Sequence, residues 1–80
     1  DLERHLVVIS LGSRQGILPG DRFEVIQELV LPDGTVIPEV RAVIEVTYIL
    51  GPNRSACRII RQDFPIEVHD QVRPAEEERG

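Results

Sequence analysis

The chain has 80 residues, of which 41% are apolar, and it carries a formal net charge of −5 at pH 7. A chain of this length forms one small domain and has too little material to enclose a deep substrate cleft. Its acidic balance argues against electrostatic capture of nucleic acid or anionic lipid, and no apolar run reaches the roughly 20 residues that a membrane-spanning helix needs.

The core must be built mainly from valine, isoleucine and leucine, because the chain has only one tyrosine and two phenylalanines. β-Branched side chains favour strands over helices. Cys57 is the single cysteine, which excludes an internal disulfide and leaves the redox compartment open. We interpret it as a small buried core side chain, because free cysteine is among the most buried residue types.

The first predicted strand covers residues 6–11, a short apolar run. The next, over 23–31, alternates between an apolar face that begins with Phe23 and a wetter face that begins with Glu24. Alternation with a period of two predicts a strand with one face toward the core. Tight turns are predicted at the glycines that separate the two strands, namely Gly12, Gly16 and Gly20.

Residues 31–35 predict a turn, because Pro32 presets φ and Gly34 supplies a positive φ. A strand follows on the far side of this turn. Proline cannot donate a ladder hydrogen bond. We therefore expect Pro38 to interrupt that strand, and residues 35–39 to form an edge or a bulged loop.

The longest predicted strand covers residues 41–50 and has the cleanest alternation. One face carries Ala42, Ile44, Val46, Tyr48 and Leu50, and the other, wetter face includes Val43 and Ile49. Gly51 begins a turn, after which residues 54–61 are expected to return as the second strand of an antiparallel hairpin.

The segment 66–74 completes the ordered body, and Pro74 ends it. We predict a single domain over 1–74 and a disordered acidic tail over 75–80, because the tail is small and charged. No segment has the pattern and caps of a convincing amphipathic helix. Five to six short, mostly antiparallel strands separated by turns therefore predict an all-β fold, either a small barrel or a sandwich.

Two segments of the sequence have the same spacing of three residue types. Residues 17–23 and 66–72 each place an isoleucine, an aspartate and a large apolar residue at equal intervals. In each segment the aspartate ends a turn and a strand follows. An aspartate in that position accepts hydrogen bonds from backbone N–H groups of the turn. We therefore predict structural roles, and no catalytic role, for Asp21 and Asp70.

The stretch 8–25 consists of an apolar strand, a Gly-Ser-x-x-Gly-apolar turn and a Gly-Asp-x-apolar-x-Val segment that starts the next strand. This pattern resembles the C-terminal domain of the flagellar assembly protein T family and barrel segments of the rod-shape protein MreC family. The resemblance extends over residues 6–73, although the pattern has glycine where this chain has His69. It implies a non-catalytic SH3-like β-barrel that serves in assembly or anchoring at the bacterial envelope, including the periplasm.

Two binding sites can be imagined from the sequence, and both lack essential parts. The segment 12–16 has two glycines, but it lacks the Gly-Lys-Ser/Thr ending and the following helix of a phosphate-binding loop. His5, His69 and Cys57 do not have the spacing of ligands in a zinc site. We therefore predict no cofactor and no metal.

A catalytic set of Ser10 or Ser13 with His69 and Asp70 is also incomplete. Adjacent residues on a strand point to opposite faces, which separates the histidine from the aspartate. The chain has no nucleophile-elbow pattern. We therefore predict that this domain is not an enzyme.

A basic strip follows the strand 54–61. It is typical of a solvated face or a salt-bridged protein contact, since a nucleic-acid surface would add exposed aromatic residues and more positive charge. Apolar residues on the wetter face of the neighbouring strand also indicate a partner surface. The predicted surface for a protein partner or for self-association consists of Arg41, Val43, Ile49, Arg54, Arg58 and Arg61.

The main functional hypothesis is a non-catalytic protein–protein assembly module of a bacterial envelope protein. The alternative is a small β-barrel that binds RNA through the arginine-bearing strand, and a small hydrolase ranks last. The residues with predicted structural roles in turns are Gly12, Gly16, Gly20, Asp21, Gly34, Gly51 and Asp70.

Overall fold

A computed structural model describes residues 6–67 and 70–75 of the chain. Within these residues the chain forms β-strands and one single turn of 3₁₀ helix at Ser13–Gln15, which confirms the predicted all-β fold. None of the described helical structure is long enough to cross a membrane. The strands are β1 (Leu6–Ile9), β2 (Arg22–Val30), β3 (Val36–Gly51), β4 (Arg54–Gln62) and β5 (Gln71–Pro74).

The strands form one sheet in the order β1-β4-β3-β2-β5, and every neighbouring pair is antiparallel. The predicted hairpin of β3 and β4 is present. Among the described residues, β1 and β5 are the two edges and do not pair with each other, so the sheet is open. The core lies on one face of this sheet and includes Ile9, Ile17, Phe23, Val25, Ala42, Ile44, Val46 and Cys57.

Both edge strands contribute to the same core. Val7 of β1 and Val72 of β5 pack against the central cluster, together with Ile66 from the segment that leads into β5. The sheet therefore curves around a single set of apolar side chains. This curvature allows a small domain to bury both ends of its sheet against one core.

A bulge changes the alternation of β3. The register between β3 and β4 shifts between Val46 and Tyr48, and a bulge of this kind adds one residue to one strand. Beyond it, Tyr48 and Leu50 are 60% and 55% exposed, whereas Ile49 packs against the core. The predicted faces for these residues are therefore wrong, because period-two alternation does not continue through a bulge.

Pro38 does not interrupt β3. It pairs with Glu28, and β3 gains its second neighbour only from Ala42 onward, where β4 begins to pair. The expected interruption is wrong, but the expected edge position is correct. The proline is tolerated because this part of β3 has only β2 beside it in the described structure.

The outer parts of β2 and β3 form a two-stranded ribbon. We define the ribbon as residues 26–40, which pair with each other from Ile26 and Val40 to Val30 and Val36. Its turn is closed by the Gly34 N–H, which donates to the Leu31 carbonyl at 2.9 Å. The ribbon extends beyond the region in which β4 and β5 flank the central strands.

Gly12 is required by a close approach of two turns. A Cβ atom at this position would collide with the Gly51 carbonyl oxygen and would lie 2.6 Å from the Arg54 nitrogen. The turn after β1 thus packs backbone to backbone against the β3–β4 turn. Positive φ angles occur at three of the other predicted turn glycines, Gly16, Gly20 and Gly34.

The predicted tail is described only at its first residue. The Ala75 N–H donates to the Arg22 carbonyl at 3.0 Å, which extends the pairing of β5 with β2. Residues 76–80 lie outside the described residues, as do His5 and His69, which the zinc and triad hypotheses require.

Candidate functional site

Arg41 occupies a bulge between β2 and β3. Val25 pairs with Ala42 and Ile26 pairs with Val40, so Arg41 has no partner of its own in β2. Its carbonyl oxygen accepts hydrogen bonds from the Asp63 and Phe64 N–H groups at 2.9 and 3.0 Å. The bulge therefore anchors the connection between β4 and β5.

The Arg41 side chain is 11% exposed and is fully engaged. Its guanidinium lies 5.1 Å from the centre of the Phe64 ring, and its Nε lies 3.8 Å from an oxygen of Asp70. An arginine so enclosed has a structural role, and it lies apart from the open part of the predicted partner surface. It also donates hydrogen bonds to Gln27, Glu39 and the Pro65 carbonyl.

The two aspartates of the repeated spacing make the same turn. The Leu18 N–H donates to Asp21 Oδ2 at 2.9 Å, and the Asp21 N–H donates back to the Leu18 carbonyl at 3.1 Å. The Glu67 N–H donates to Asp70 Oδ2 at 2.9 Å, and the Asp70 N–H donates back to the Glu67 carbonyl at 3.1 Å. Each carboxylate therefore accepts a hydrogen bond from a backbone N–H of its turn, as the sequence predicts.

The basic strip lies along the outer face of β4. Arg58 pairs with Glu45 and Arg61 with Val43, two residues apart on β3, so both arginines share one face. The Arg58 Nε donates to Glu45 at 2.8 Å, and this hydrogen bond lowers the pKa of Glu45. Arg61 contacts Asp63 at 3.1 Å. Much of the charge of the strip is therefore balanced locally.

Arg54 differs from the other two arginines. It forms no ion pair with any described residue, and it is exposed next to the β3–β4 turn. Val43 is half-buried between Glu24 and Arg61 in the adjacent strands, and Ile49 faces the core. The predicted partner surface is therefore not continuous. Arg54 is exposed at one end of β3, whereas Val43 is half-buried and Ile49 faces the core.

An apolar surface that the sequence reasoning missed lies on the ribbon. The alternation predicted for the strand 23–31 places residues 29 and 31 on its core face, but no further described strand covers the ribbon there. The available signal was that the 31–35 turn has large apolar residues on both sides. The exposed side chains are Leu29 (40%), Val30 (69%), Leu31 (39%), Val36 (49%) and Ile37 (42%).

A second exposed apolar surface lies at the other end of β3. Val8 and Tyr48 both pair with Ala56, so the three residues form one row across β1, β4 and β3. Val8 is 57% exposed, while the small Ala56 between the two larger residues is only 5% exposed. We call this surface, with the adjoining Leu50 and Arg54, the Tyr48 face.

The two ends of β3 differ in charge. The ribbon contains Glu28, Asp33 and Glu39 and no basic residue. A hydrogen bond from the Thr35 N–H to the Asp33 carboxylate lowers the pKa of Asp33. By contrast, the segments that build the opposite end, 6–20 and 46–57, contain two arginines and no acidic residue, the arginines being Arg14 and Arg54.

Reactive groups are few in the described part of the chain. Cys57 is fully buried, and burial raises the pKa of its thiol to about 11, so the thiol is protonated at neutral pH. Residues 6–67 and 70–75 contain no cluster of side chains suited to a metal ion. An open groove of about 540 Å³ lies between β1 and a second side that includes Ile66, Glu67, Asp70 and Val72, and its carboxylates among the described residues are Glu67 and Asp70.

Asp70 is not available for chemistry in that groove. Its side chain is 3% exposed and faces Arg41, and it also accepts a hydrogen bond from the Glu67 N–H. The polar groups that come together in the described structure therefore hold turns and connections in place. A comparison of the chain with known protein families, curated proteins and solved structures finds no match in any of the three.

Proposed function

We propose that the chain is a non-catalytic protein–protein interaction module that serves in assembly. The observation that carries this proposal is the ribbon, which exposes five large apolar side chains around one tight turn. Scattered exposed apolar residues are normal on a protein surface, but a contiguous group on a projecting element is typical of a contact site.

The pairing within the ribbon supports this role. Val30 pairs with Val36 and Leu29 pairs with Ile37. Directly opposed residues share a face and successive pairs alternate, so both faces of the ribbon are apolar. Only one face could have packed on this domain's own core. A ribbon with two apolar faces is therefore suited to insertion between surfaces of a partner.

We further propose that the domain is a small SH3-like barrel with an open seam between β1 and β5. Val7 and Val72, one from each edge strand, pack against the same core, which supports a curved sheet close to closure. The setting that we propose is the bacterial envelope, because the stretch 8–25 has the turn pattern of the envelope families that it resembles.

Photo-crosslinking tests the proposed contact. A photoreactive residue is placed at Val30 in the ribbon and, as a control, at Gln62, an exposed residue at the end of β4. The labelled chain is irradiated in envelope extract from bacteria that encode it. We expect specific protein adducts from position 30, formed with another copy or with another protein. Equal labelling from the two positions would overturn the proposal.

Titration with oligonucleotides tests the alternative function. RNA binding at low ionic strength that is lost in Arg54→Gln would favour the RNA-binding barrel over the assembly module, since phosphate contacts weaken with salt. We expect no such binding, because Arg58 and Arg61 already contact the carboxylates of Glu45 and Asp63.

A further inference from the structure

We propose that copies of this chain associate head to tail, with the ribbon of one copy bound on the Tyr48 face of the next. This inference rests on the proposed assembly function and names the partner as a second copy. It requires that the two surfaces be complementary in charge, that both be apolar, and that one molecule be unable to join its own two surfaces.

Charge complementarity indicates that the partner is a second copy of this chain. The ribbon carries only acidic charges, and the carboxylate of Asp33 at its turn accepts a hydrogen bond from the Thr35 N–H at 2.9 Å. The Tyr48 face carries Arg54, which has no ion pair among the residues described. The Arg14 N–H donates to the Pro52 carbonyl, which places the backbone of Arg14 next to the turn that precedes Arg54. Opposite charges across a contact steer encounter and define orientation. The same charges disfavour ribbon-to-ribbon contact.

The apolar parts of the two surfaces also correspond. Val30 and Val36 form the most exposed apolar pair of the ribbon, at 69% and 49%. On the Tyr48 face, the small Ala56 lies between Val8 and Tyr48, so the row has large side chains at its ends and a small one in the middle. A pair of valines is a suitable size to pack over such a row.

The two surfaces are near opposite ends of the same strand. Val36 is the first residue of β3 and Leu50 is the last but one, and β3 is a strand of 16 residues in a molecule whose longest dimension is 40 Å. A ribbon at one end of a strand cannot bend back to the other end of that strand, so the contact must join different copies. Contacts between unlike surfaces propagate into rings or filaments.

Hydrogen bonds connect the turn that carries Arg14 to the turn that precedes Arg54. The Arg14 N–H donates to the Pro52 carbonyl at 2.9 Å, and the Gln15 amide donates to Asn53 at 3.1 Å. These hydrogen bonds join the turn after β1 to the β3–β4 turn, so the backbones of Arg14 and Arg54 lie at the same end of the molecule.

Two variants test the two surfaces separately. The ribbon variant E28Q/V30S/D33N loses two charges and one apolar side chain, and the amide that replaces the Asp33 carboxylate keeps an oxygen for the turn. The face variant Y48S/R54Q changes only residues that are exposed. Arg73→Gln, on β5, is a control that also removes one arginine. Circular dichroism checks folding, and sedimentation velocity measures association of the 80-residue chain over a range of concentrations and salt.

We expect the native chain and Arg73→Gln to form species larger than dimers as concentration rises, with association weakened about tenfold or more by high salt. Each surface variant alone is expected to stay monomeric. Mixed in equal amounts, the two variants are expected to form a heterodimer and nothing larger, because each supplies the one surface that the other lacks.

Several results would overturn the inference. A native chain that stays monomeric, a face variant that still dimerises alone, or a mixture of variants that does not associate each excludes head-to-tail contact. If the chain is monomeric but position 30 crosslinks to a different protein, the self-association is wrong and the proposed function stands. If position 30 also crosslinks to nothing, both proposals fail.

Discussion

The guanidinium of Arg41 and the carboxylate of Asp70 lie 3.8 Å apart, and their side chains are only 11% and 3% exposed. Arg41 sits in a bulge of β3, and Asp70 ends the turn that precedes β5. The pair thus connects the central strand to the segment that carries the last edge strand. Buried pairs of this kind are costly to break, because the remaining charge loses its partner in a poorly solvated place.

Arg41→Met is therefore expected to lower the free energy of unfolding by about 3 kcal/mol, the loss typical of a buried ion pair with one partner removed. Arg61→Met is the matched control, because Arg61 is 59% exposed and contacts only Asp63 among the described acidic residues. Exposed pairs contribute about 0–1 kcal/mol. Urea unfolding measures the free energy of unfolding of both variants. Equal losses in the two variants would contradict the structural role of Arg41.

Gly12→Ala is expected to destabilise the domain by about 3 kcal/mol, at the upper end of typical overpacking costs. The added methyl group would collide with backbone atoms of the β3–β4 turn, which cannot rotate away as a side chain could. Gly51→Ala tests the same turn from its other side, where a Cβ atom meets open space. Thermal unfolding that shows similar midpoints for the two variants would contradict the close approach.

Ile49→Ala is expected to cost about 2 kcal/mol, because the side chain packs against the core. Leu50→Ala is expected to cost less than about 0.5 kcal/mol, because residue 50 is exposed beyond the bulge. Strict period-two alternation along β3 would instead predict the larger loss of stability for Leu50→Ala. Denaturant unfolding of these two neighbouring variants therefore tests the position of the bulge directly.

The hydrogen bond from Arg58 lowers the pKa of Glu45 below its ordinary value of 4.5. A carboxyl whose pKa is lower in the folded state contributes stability above its unfolded pKa and loses it as the pH falls through the folded pKa. Glu45→Gln is therefore expected to flatten the loss of stability below about pH 4.5. Urea unfolding of the native chain and of Glu45→Gln over a series of pH values measures the difference, and an acid limb that is the same in both would contradict this contribution.

The predictability of the candidate surfaces follows from how far apart their parts lie in the chain. Arg54, Arg58 and Arg61 form a strip that the sequence predicts, because they lie on a single strand, and a bulge near Ile60 keeps them on one face. The ion pairs that balance Arg58 and Arg61 join residues whose contact depends on register and local geometry. The exposure of Val30 depends on where the neighbouring strands end. The local sequence around Val30 does not contain that information.

The sequence by itself determined the approximate positions of most strands and turns, because period-two alternation and the backbone preferences of glycine, proline and aspartate act over a few residues. Asp21 and Asp70 are the clearest case, since equal spacing leads to the same pair of hydrogen bonds. Only the tertiary structure decided that β1 pairs with β4 and β5 with β2, and that bulges shift the faces near Tyr48. These features depend on contacts between distant segments, where packing around one shared core outweighs local preference.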